Sequence, residues 1–291
     1  MYRGRFAPSP TGPLHFGSLV TALGSFLDAR SQGGEWLVRM EDLDRPRERP
    51  GAADRILATL EAFGFEWDGG VICQSRRDEA YREGLERLLA GDLAYPCGCT
   101  RREIAAQGLP GAEGPRYGGT CRGGLPPGRR ARAYRVRVER ETITFDDRIC
   151  GSCGHNLWNE VGDFVVRRAD GLFAYQLAVV VDDAWQGVTD VVRGADLLLS
   201  TPRQIHLQRL LGLPTPRYAH LPLVLDAQGR KLSKQDRARP VDPANPLPTL
   251  LAALEFLCQP PPPEPPANLD EFWHWALQHW DIRRIQCPPA G

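Results

Sequence analysis

Short apolar runs alternate with longer amphipathic stretches over the first ninety residues of the chain. Residues 5–7 and 36–40 are brief, apolar and bounded by turn-forming residues, which is typical of buried strands. Strands that alternate with helices predict a parallel sheet with helical crossover connections. The helices are expected over residues 51–63, over residues 78–90 and, before them, through Leu19, Leu23, Phe26 and Leu27.

Residues 91–160 interrupt this alternation and contain five of the eight cysteines, many glycines and a dense run of arginines. Polar and apolar side chains alternate over residues 134–138, which predicts a half-exposed strand. The parallel pattern resumes with strands near residues 163–166 and 188–192 and a helix over residues 201–211. We therefore interpret residues 91–160 as an insertion in the parallel domain.

The end of the chain has a composition of its own. A proline-rich linker covers residues 260–266, and a final helix is expected from Leu269 to about Arg284. Trp273, Leu277 and Trp280 share one face of that helix, so this face should pack onto the body. The expected division is an α/β domain of residues 1–90 and 161–240, an inserted subdomain of residues 91–160 and a helical extension of residues 241–291.

Composition adds a constraint to this pattern. The 291 residues contain 36 lysines and arginines and 36 aspartates and glutamates, which argues against binding to nucleic acid by bulk charge. Two of the cations are lysines, Lys231 and Lys234, and they lie three residues apart in one polar loop. Because lysine is a compact point charge on a flexible stem, this placement in an arginine-using chain predicts a specific chemical role.

No targeting or membrane segment is evident in the sequence. The N-terminus lacks the apolar stretch of a secretory signal, and residues 177–181 are far fewer than the roughly 20 that span a bilayer. The clustered cysteines favour metal or redox chemistry in a reducing compartment over a secreted disulfide framework. We therefore expect a cytoplasmic protein without membrane contact.

Residues 5–18 join a strand to a helix through a rigid turn of prolines and glycine. Such a turn directs backbone N–H groups and the positive end of the helix at a place where an anion can bind. His15 and Ser18 stand at this helix start as further donors. The turn and the lysine loop together predict a nucleotide site.

These two segments resemble the two signature sequences of class I aminoacyl-tRNA synthetases. The first is Leu-His-Phe-Gly at residues 14–17, and the second is Lys-Leu-Ser-Lys-Gln at residues 231–235. Residues 5–12, 39–44 and 191–197 are similar to motifs of the glutamate-specific group within that class.

The resemblance covers about residues 3–240. It implies an α/β fold, with a Rossmann-type parallel-sheet catalytic domain, a zinc-binding insertion and a short helical C-terminal extension. One departure is Ser18, which stands where the class often has a second histidine. Serine can also donate a hydrogen bond to phosphate, so the implied site is kept.

The chemistry that the resemblance implies is adenylation, in which a carboxylate attacks the α-phosphate of ATP and pyrophosphate leaves. His15 would contact the phosphates, and Lys234, assisted by Lys231, would stabilise charge in the transition state. Mg²⁺ would accompany ATP. The implied ATP-binding residues are His15, Gly17, Ser18, Lys231, Ser233 and Lys234.

The resemblance also implies a pocket for glutamate, which carries two carboxylates and one ammonium. Arg5 and Arg193 suit the carboxylates because a planar guanidinium can pair with both oxygens of such a group. Glu41 suits the ammonium, and Tyr175 and Ser9 can add hydroxyls.

The cysteines of the insertion predict a zinc site. Cys97, Cys99 and Cys121 supply three thiolates, and tetrahedral zinc then has one place open. The resemblance implies that Tyr117 fills this place, at the spacing Tyr-x-x-x-Cys. Alternatively, a second group of Cys150, Cys153 and His155 supplies the fourth ligand or forms an incomplete site of its own, or all five cysteines of the insertion are ordinary buried thiols. The remaining cysteines, interpreted as isolated and structural, are Cys73, Cys258 and Cys287.

The insertion also carries a run of arginines with a single acid, Glu139, inside it. We expect this face to contact RNA phosphates. The run consists of Arg116, Arg122, Arg129, Arg130, Arg132, Arg135, Arg137 and Arg140.

Length separates two related families. Fewer than 60 residues follow Lys234, which we interpret as too few for the helical anticodon-binding part of a glutamyl-tRNA synthetase. The short form with a Cys-x-Cys, Tyr-x-x-x-Cys insertion resembles the glutamyl-Q tRNA(Asp) synthetase family. That resemblance implies tRNA-independent activation of L-glutamate and transfer to the queuosine base in the tRNA(Asp) anticodon. The anticodon stem-loop would dock on the catalytic body, and a monomer is expected.

Three other functions stay open at the level of sequence. A truncated glutamyl-tRNA synthetase would charge a tRNA 3′ end. A small-molecule adenylyltransferase would share the nucleotide turn, but it would not explain the set of Arg5, Glu41 and Arg193. A catalytically silent RNA- or zinc-binding module would have no need of intact phosphate and amino-acid residues.

Overall fold

The computed structural model describes residues 1–225 and 239–287. The strands in this part of the chain are β1 (Arg3–Phe6), β2 (Glu35–Met40), β3 (Ile72–Cys73), β4 (Ala94–Cys97), β5 (Ala133–Val136), β6 (Thr142–Asp147), β7 (Gly151–Asn156), β8 (Val165–Arg167), β9 (Asp190–Gly194) and β10 (Arg217–Leu221). The α-helices are α1 (Phe16–Arg30), α2 (Ala52–Ala62), α3 (Asp78–Ala90), α4 (Arg101–Ala106), α5 (Leu157–Glu160), α6 (Tyr175–Trp185), α7 (Thr201–Leu211), α8 (Pro246–Phe256) and α9 (Leu269–His279).

Parallel pairing organises the strands of residues 1–90 and 188–221, as the sequence predicts. β1 pairs in parallel with β2, which pairs in parallel with β3, and β9 pairs in parallel with β10. The two groups meet where the Thr189 N–H donates to the Arg3 carbonyl at 2.9 Å, which places β9 beside β1. The expected α/β fold is therefore confirmed, and the strand order β3-β2-β1-β9-β10 brings β1 and β9 to its centre.

A second, antiparallel sheet has the order β4-β5-β8. The sequence predicts that the parallel domain resumes at residues 163–166, but β8 instead pairs with β5 of the insertion. Alternation identifies a strand without naming its partner, and here Phe164 and Val166 pack in one core with Val136. The β6–β7 hairpin joins the parallel strands through β10, where Asp147 lies opposite Tyr218. The division into three segments stays a prediction. The pairings of β5 with β8 and of β6 with β10 both join residues 91–160 to residues 161–240.

Helix α1 forms the centre of the larger core. Its residues Leu19, Leu23 and Leu27 are fully buried, in line with the predicted apolar face. The C-terminal extension packs against it, because the Trp273 ring lies 4.9 Å from the Phe26 ring. The expected shared face of α9 is confirmed by this packing, although the helix ends at His279 and a 3₁₀ turn, Ile282–Arg284, follows.

A disulfide joins Cys150 to Cys287, with 4.8 Å between their Cα atoms. The interpretation of Cys287 as an isolated cysteine is therefore wrong, and Cys150 is removed from the alternative metal group. His155 of that group pairs instead with Glu160, at 2.7 Å from Nδ1 to Oε2. Sequence spacing does not reveal this pairing, because the two cysteines are 137 positions apart.

Across residues 1–225 and 239–287, no helix combines the length and the apolar character needed to cross a membrane.

Candidate functional site

A cavity of about 340 Å³ opens at the carboxyl ends of the central strands β1 and β9. In open parallel sheets, ligands bind in the crevice beyond these strand ends. The cavity brings together every predicted nucleotide and glutamate residue that the structure describes: Arg5, Ser9, His15, Gly17, Ser18, Glu41, Tyr175 and Arg193. Lys231, Ser233 and Lys234 lie outside the described residues.

The nucleotide end of the cavity is the start of α1. His15 caps this helix, and its Nδ1 accepts the Ser18 backbone N–H at 3.3 Å. Because Nδ1 accepts, the proton of the neutral ring resides on Nε2, which lies 3.0 Å from the Ser18 hydroxyl. A Cβ atom on Gly17 would lie 3.4 Å from the His15 ring, so this residue packs directly against the ring. The His15 ring and the Ser18 hydroxyl thus place side-chain donors at one end of the cavity, beside the positive end of the helix.

The wall beneath Arg5 is a buried network of charges. The Asp183 carboxylate accepts hydrogen bonds from Arg5 Nε at 3.2 Å and from Arg39 Nη1 at 2.7 Å. Arg39 Nη2 also donates to Glu41 at 3.2 Å. Burial opposes the Asp183 charge, but the two arginines outweigh it and lower the pKa of this carboxyl group. This network fixes Arg5 and Glu41 relative to each other.

The pKa of Glu41 is shifted in the opposite direction to that of Asp183. Burial raises the pKa of the Glu41 carboxyl group, although Arg39 and Arg5 act against this shift. A carboxylate that is poorly solvated gains more from a cationic ligand than an exposed one does. The geometry therefore suits Glu41 for contact with an ammonium group.

Arg193 is bound by neutral acceptors. Its Nη1 donates to Gln204 Oε1 at 2.8 Å and lies 3.4 Å from the Tyr175 hydroxyl, and its Nη2 donates to Thr201 Oγ1 at 2.8 Å. Its Nε donates to His220 Nε2 at 3.1 Å. No carboxylate among residues 1–225 and 239–287 forms an ion pair with this guanidinium, so its charge is available to a ligand.

Sequence reasoning missed several residues of the site. Asp183 and Arg39 reach the cavity through Arg5 and Glu41, and the charged Asp182-Asp183 pair within an otherwise apolar helix was the available signal. His220 carried no such signal, because its role depends on the neighbouring strand. Thr11, Asp196 and Val224 also line the cavity without having been assigned a role.

The predicted zinc ligands form a compact buried cluster. The sulfurs of Cys97, Cys99 and Cys121 lie within 4.8 Å of one another, and the Cys99–Cys121 distance is 3.7 Å. Two thiolates on one tetrahedral zinc are about 3.8 Å apart, so the donor set fits the ion. The Tyr117 hydroxyl lies 3.4 Å from Cys97 Sγ and 3.9 Å from Cys99 Sγ, at the open side of the three sulfurs.

Arginines surround this cluster and favour thiolate at one position. Arg135 Nε donates to Cys97 Sγ at 3.4 Å, and its guanidinium lies 3.9 Å above the Tyr117 ring. Burial opposes ionisation of Cys97, but the hydrogen bonds from Tyr117, the Cys99 backbone and Arg135 outweigh it and lower the pKa of this thiol. Burial and the Cys121 contact raise the pKa of Cys99 to about 11. Because the pKa of Cys97 is lowered and that of Cys99 is raised, a bound cation would be needed to ionise all the thiols of the cluster.

Fewer arginines of the run are exposed to solvent than the sequence predicts. Arg135 is buried, and Arg137 pairs with Asp92 at 3.0 Å. Five arginines of the run donate to protein groups in this way: Arg116, Arg122, Arg129, Arg135 and Arg137. The exposed members are Arg130, Arg132 and Arg140.

Comparison with known proteins agrees with this site. A family model described as tRNA synthetases class I (E and Q), catalytic domain, matches residues 1–245. The glutamyl-Q tRNA(Asp) synthetase of Aromatoleum aromaticum (strain DSM 19018 / LMG 30748 / EbN1) is 59% identical over 295 residues, which cover 100% of this chain and 93% of that protein. The protein of the same name from Dechloromonas aromatica (strain RCB) is 60% identical, with 98% and 95% covered.

A solved structure shows the same fold. It is the crystal structure of a glutamate tRNA ligase from Elizabethkingia meningosepticum CCUG26117 in complex with its amino acid, with a TM-score of 0.79 and 27% identity. The match covers 98% of this chain and 66% of that ligase. Sequence identity near 60% over almost the whole of both chains is decisive for the family. The chain belongs to the glutamyl-Q tRNA(Asp) synthetases, within the class I tRNA synthetases.

Proposed function

We propose that this protein activates L-glutamate with ATP in the absence of tRNA and transfers it to the queuosine base in the anticodon of tRNA(Asp). The observation that carries the proposal is one cavity, which combines the start of α1 with two arginines and one largely buried carboxylate. The names of the most similar relatives support the choice of RNA.

The first step is adenylation. A glutamate α-carboxylate oxygen forms a bond to the α-phosphorus of ATP, and the bond to the pyrophosphate oxygen breaks. The chain's contribution is positioning and charge stabilisation, since no covalent intermediate with the protein is required. His15 and Ser18 hold the nucleotide phosphates, and ATP enters with Mg²⁺, whose charge offsets that of the phosphates. Lys231, Ser233 and Lys234 remain the predicted further phosphate contacts.

Glutamate is oriented by charges of opposite sign. Arg193 offers an uncompensated cation for a carboxylate, and Arg5 offers a second cation whose position is set by Asp183. Glu41 accepts the ammonium, and the Tyr175 hydroxyl completes the wall. This arrangement suits a small ligand with two anionic groups and one cationic group, a charge pattern that glutamate has.

The cysteine cluster would stabilise the insertion. Cys97, Cys99, Cys121 and Tyr117 would hold one zinc ion, which would cross-link β4 to the loop that carries Tyr117 and Cys121. Arg130 and Arg132 are exposed cations near this site that could contact the anticodon stem-loop.

The test is transfer of labelled glutamate to tRNA(Asp) with and without queuosine, with tRNA(Glu) as a third substrate. We expect pyrophosphate exchange with ATP to require glutamate but no RNA, and label to appear only on queuosine-containing tRNA(Asp). Nuclease digestion should locate the label in the anticodon fragment. Equal labelling of both forms, or label on the 3′-terminal adenosine, would overturn the proposal.

A further inference from the structure

His220 is a fully buried histidine directly beside the cavity. It lies on β10 opposite Arg193 of β9 in the parallel register, and none of its surface reaches solvent. Its Nε2 lies 3.1 Å from Arg193 Nε, and its Nδ1 lies 2.6 Å from Asp147 Oδ2. One imidazole thus separates the ligand-facing arginine from a buried carboxylate.

The proton of this imidazole can be assigned from its partners. An arginine Nε–H can only donate, so His220 Nε2 must accept and Nδ1 must carry the proton. The Thr201 hydroxyl, 3.1 Å from Nε2, can donate to the same unprotonated nitrogen. Burial, together with the charge of Arg193, lowers the pKa of His220, so the ring is neutral near pH 7.

Asp147 is fixed on the other side of the ring. It ends β6 and is almost fully buried. Its Oδ1 accepts the backbone N–H groups of Ile149 at 3.0 Å and Cys150 at 2.9 Å. These bonds leave Oδ2 as the acceptor for His220 Nδ1–H, which determines the ring tautomer.

We propose that Asp147 and His220 are positioning residues, which orient the Arg193 guanidinium for a carboxylate of glutamate. This inference rests on the proposed function, in which Arg193 binds the amino acid. The neutral ring gives Arg193 an acceptor without neutralising its charge, whereas a directly bound aspartate would compete with the ligand. Asp147 acts only through the ring, by holding the proton on the far nitrogen.

Asp147→Asn is the sharpest test, because it can reverse the tautomer with a near-isosteric change. If the amide oxygen keeps the backbone N–H bonds, its NH₂ group faces His220 Nδ1, which must then accept. Nε2 then carries a proton that opposes the Arg193 Nε–H. We expect the KM for glutamate in pyrophosphate exchange to rise about 10- to 100-fold, as for loss of a hydrogen bond to a charged group. The KM for ATP should stay within about twofold.

A matched pair at His220 separates positioning from packing. His220→Gln retains an acceptor for Arg193 and should hold the KM for glutamate within about threefold, whereas His220→Leu should raise it as Asp147→Asn does. Adding Asp147→Asn to the His220→Gln background should have little further effect, because an amide can turn to suit its neighbours. A role in stability alone would lower the thermal midpoint and the active fraction without this split between the two KM values.

Nitrogen NMR of the ¹⁵N-histidine-labelled full chain tests the tautomer without any assay of activity. The signal lost in His220→Gln identifies the ring, which should carry its proton on Nδ1 in the unaltered chain and on Nε2 in Asp147→Asn. A proton on Nε2 in the unaltered chain overturns the proposal. Normal exchange with an unchanged KM for glutamate in Asp147→Asn also overturns it, and leaves the proposed function standing. Absence of glutamate-dependent exchange in the unaltered chain overturns the proposed function and this role of Arg193 with it.

Discussion

The Arg5 guanidinium lies 3.2 Å from the Asp183 carboxylate, although the two residues are 178 positions apart in the chain. Both side chains are buried, and Asp183 simultaneously binds Arg39. Asp183 of helix α6 therefore fixes the position of the Arg5 guanidinium, which extends from strand β1.

Asp183→Asn should destabilise the fold. It leaves Arg5 and Arg39 buried without their shared anion, and breaking such a pair costs about 3–5 kcal/mol. Urea unfolding would measure the loss. Asp170→Asn is the matched control, because Asp170 pairs with Arg168 on the surface, where a pair contributes at most about 1 kcal/mol. Equal effects of the two changes would contradict the argument.

Glu41 should give the amino-acid step a dependence on pH. Burial raises the pKa of Glu41, so on acidification it protonates above the ordinary value of about 4.3 and loses its attraction for an ammonium. We expect kcat/KM for glutamate in pyrophosphate exchange to rise with pH through this pKa. In Glu41→Gln, kcat/KM for glutamate should be lower, and its rise with pH through this pKa should be absent. The same rise of kcat/KM with pH in the variant would assign the titration to another group.

Cys99→Ser should abolish zinc binding. The unaltered chain is expected to hold one zinc ion, and removing one of three thiolates leaves too few strong ligands for a structural site. Metal analysis of the purified full chain measures this directly. Cys153→Ser is the matched control, since Cys153 lies outside the sulfur cluster and should leave the zinc content unchanged. The reverse pattern would move the site toward Cys153.

Charge reversal at Arg130 and Arg132 should weaken RNA binding without affecting activation. Both side chains are exposed, so we expect a higher KM for tRNA and a salt dependence reduced by about one unit of slope for each lost phosphate contact. Exchange without tRNA should be unchanged. The same double reversal at the exposed Arg283 and Arg284 of the C-terminal extension serves as control. If both pairs weaken binding equally, general charge rather than this surface is responsible.

Lys234→Ala should abolish glutamate-dependent pyrophosphate exchange while the protein stays folded. A lost phosphate-stabilising cation typically lowers the rate by about 100-fold or more. Thermal unfolding provides the folding check, and Lys234→Arg tests whether a compact ammonium is required in place of a guanidinium. Near-normal exchange in Lys234→Ala would remove this residue from the mechanism.

Local patterns in the sequence predicted the elements better than their partners. The helix expected over residues 201–211 is α7, and that over residues 78–90 is α3, because apolar spacing and end signals are local properties. The partner of β8 and the Cys150–Cys287 bond were not predictable in this way. Both depend on chain segments that meet only in the folded protein.

The site, too, was predictable where it depends on local motifs and not where it depends on tertiary contacts. The eight residues that the motifs marked do line one cavity. Of the residues behind them, Asp183 was marked only by the charged pair that it forms with Asp182 in an apolar helix. Asp147 and His220 could not be found, because a buried aspartate or histidine has no spacing that distinguishes it from a surface one. Their importance comes from the charge that they face, and the facing arginines lie on other strands.

The cavity is assembled from an early and a late stretch of the chain, since its lining passes directly from Glu41 to Tyr175. At about 5–20 residues per second, the ribosome needs some 7–28 s to proceed from Glu41 to Asp183. During that interval Arg5 and Arg39 lack the Asp183 carboxylate that they share, and the central strand β1 lacks its neighbour β9. The nascent N-terminal half must therefore remain hydrated at this point until α6 emerges. We therefore expect a chain that ends before α6 to keep these two cations hydrated and to be cleaved by proteases faster than the complete chain.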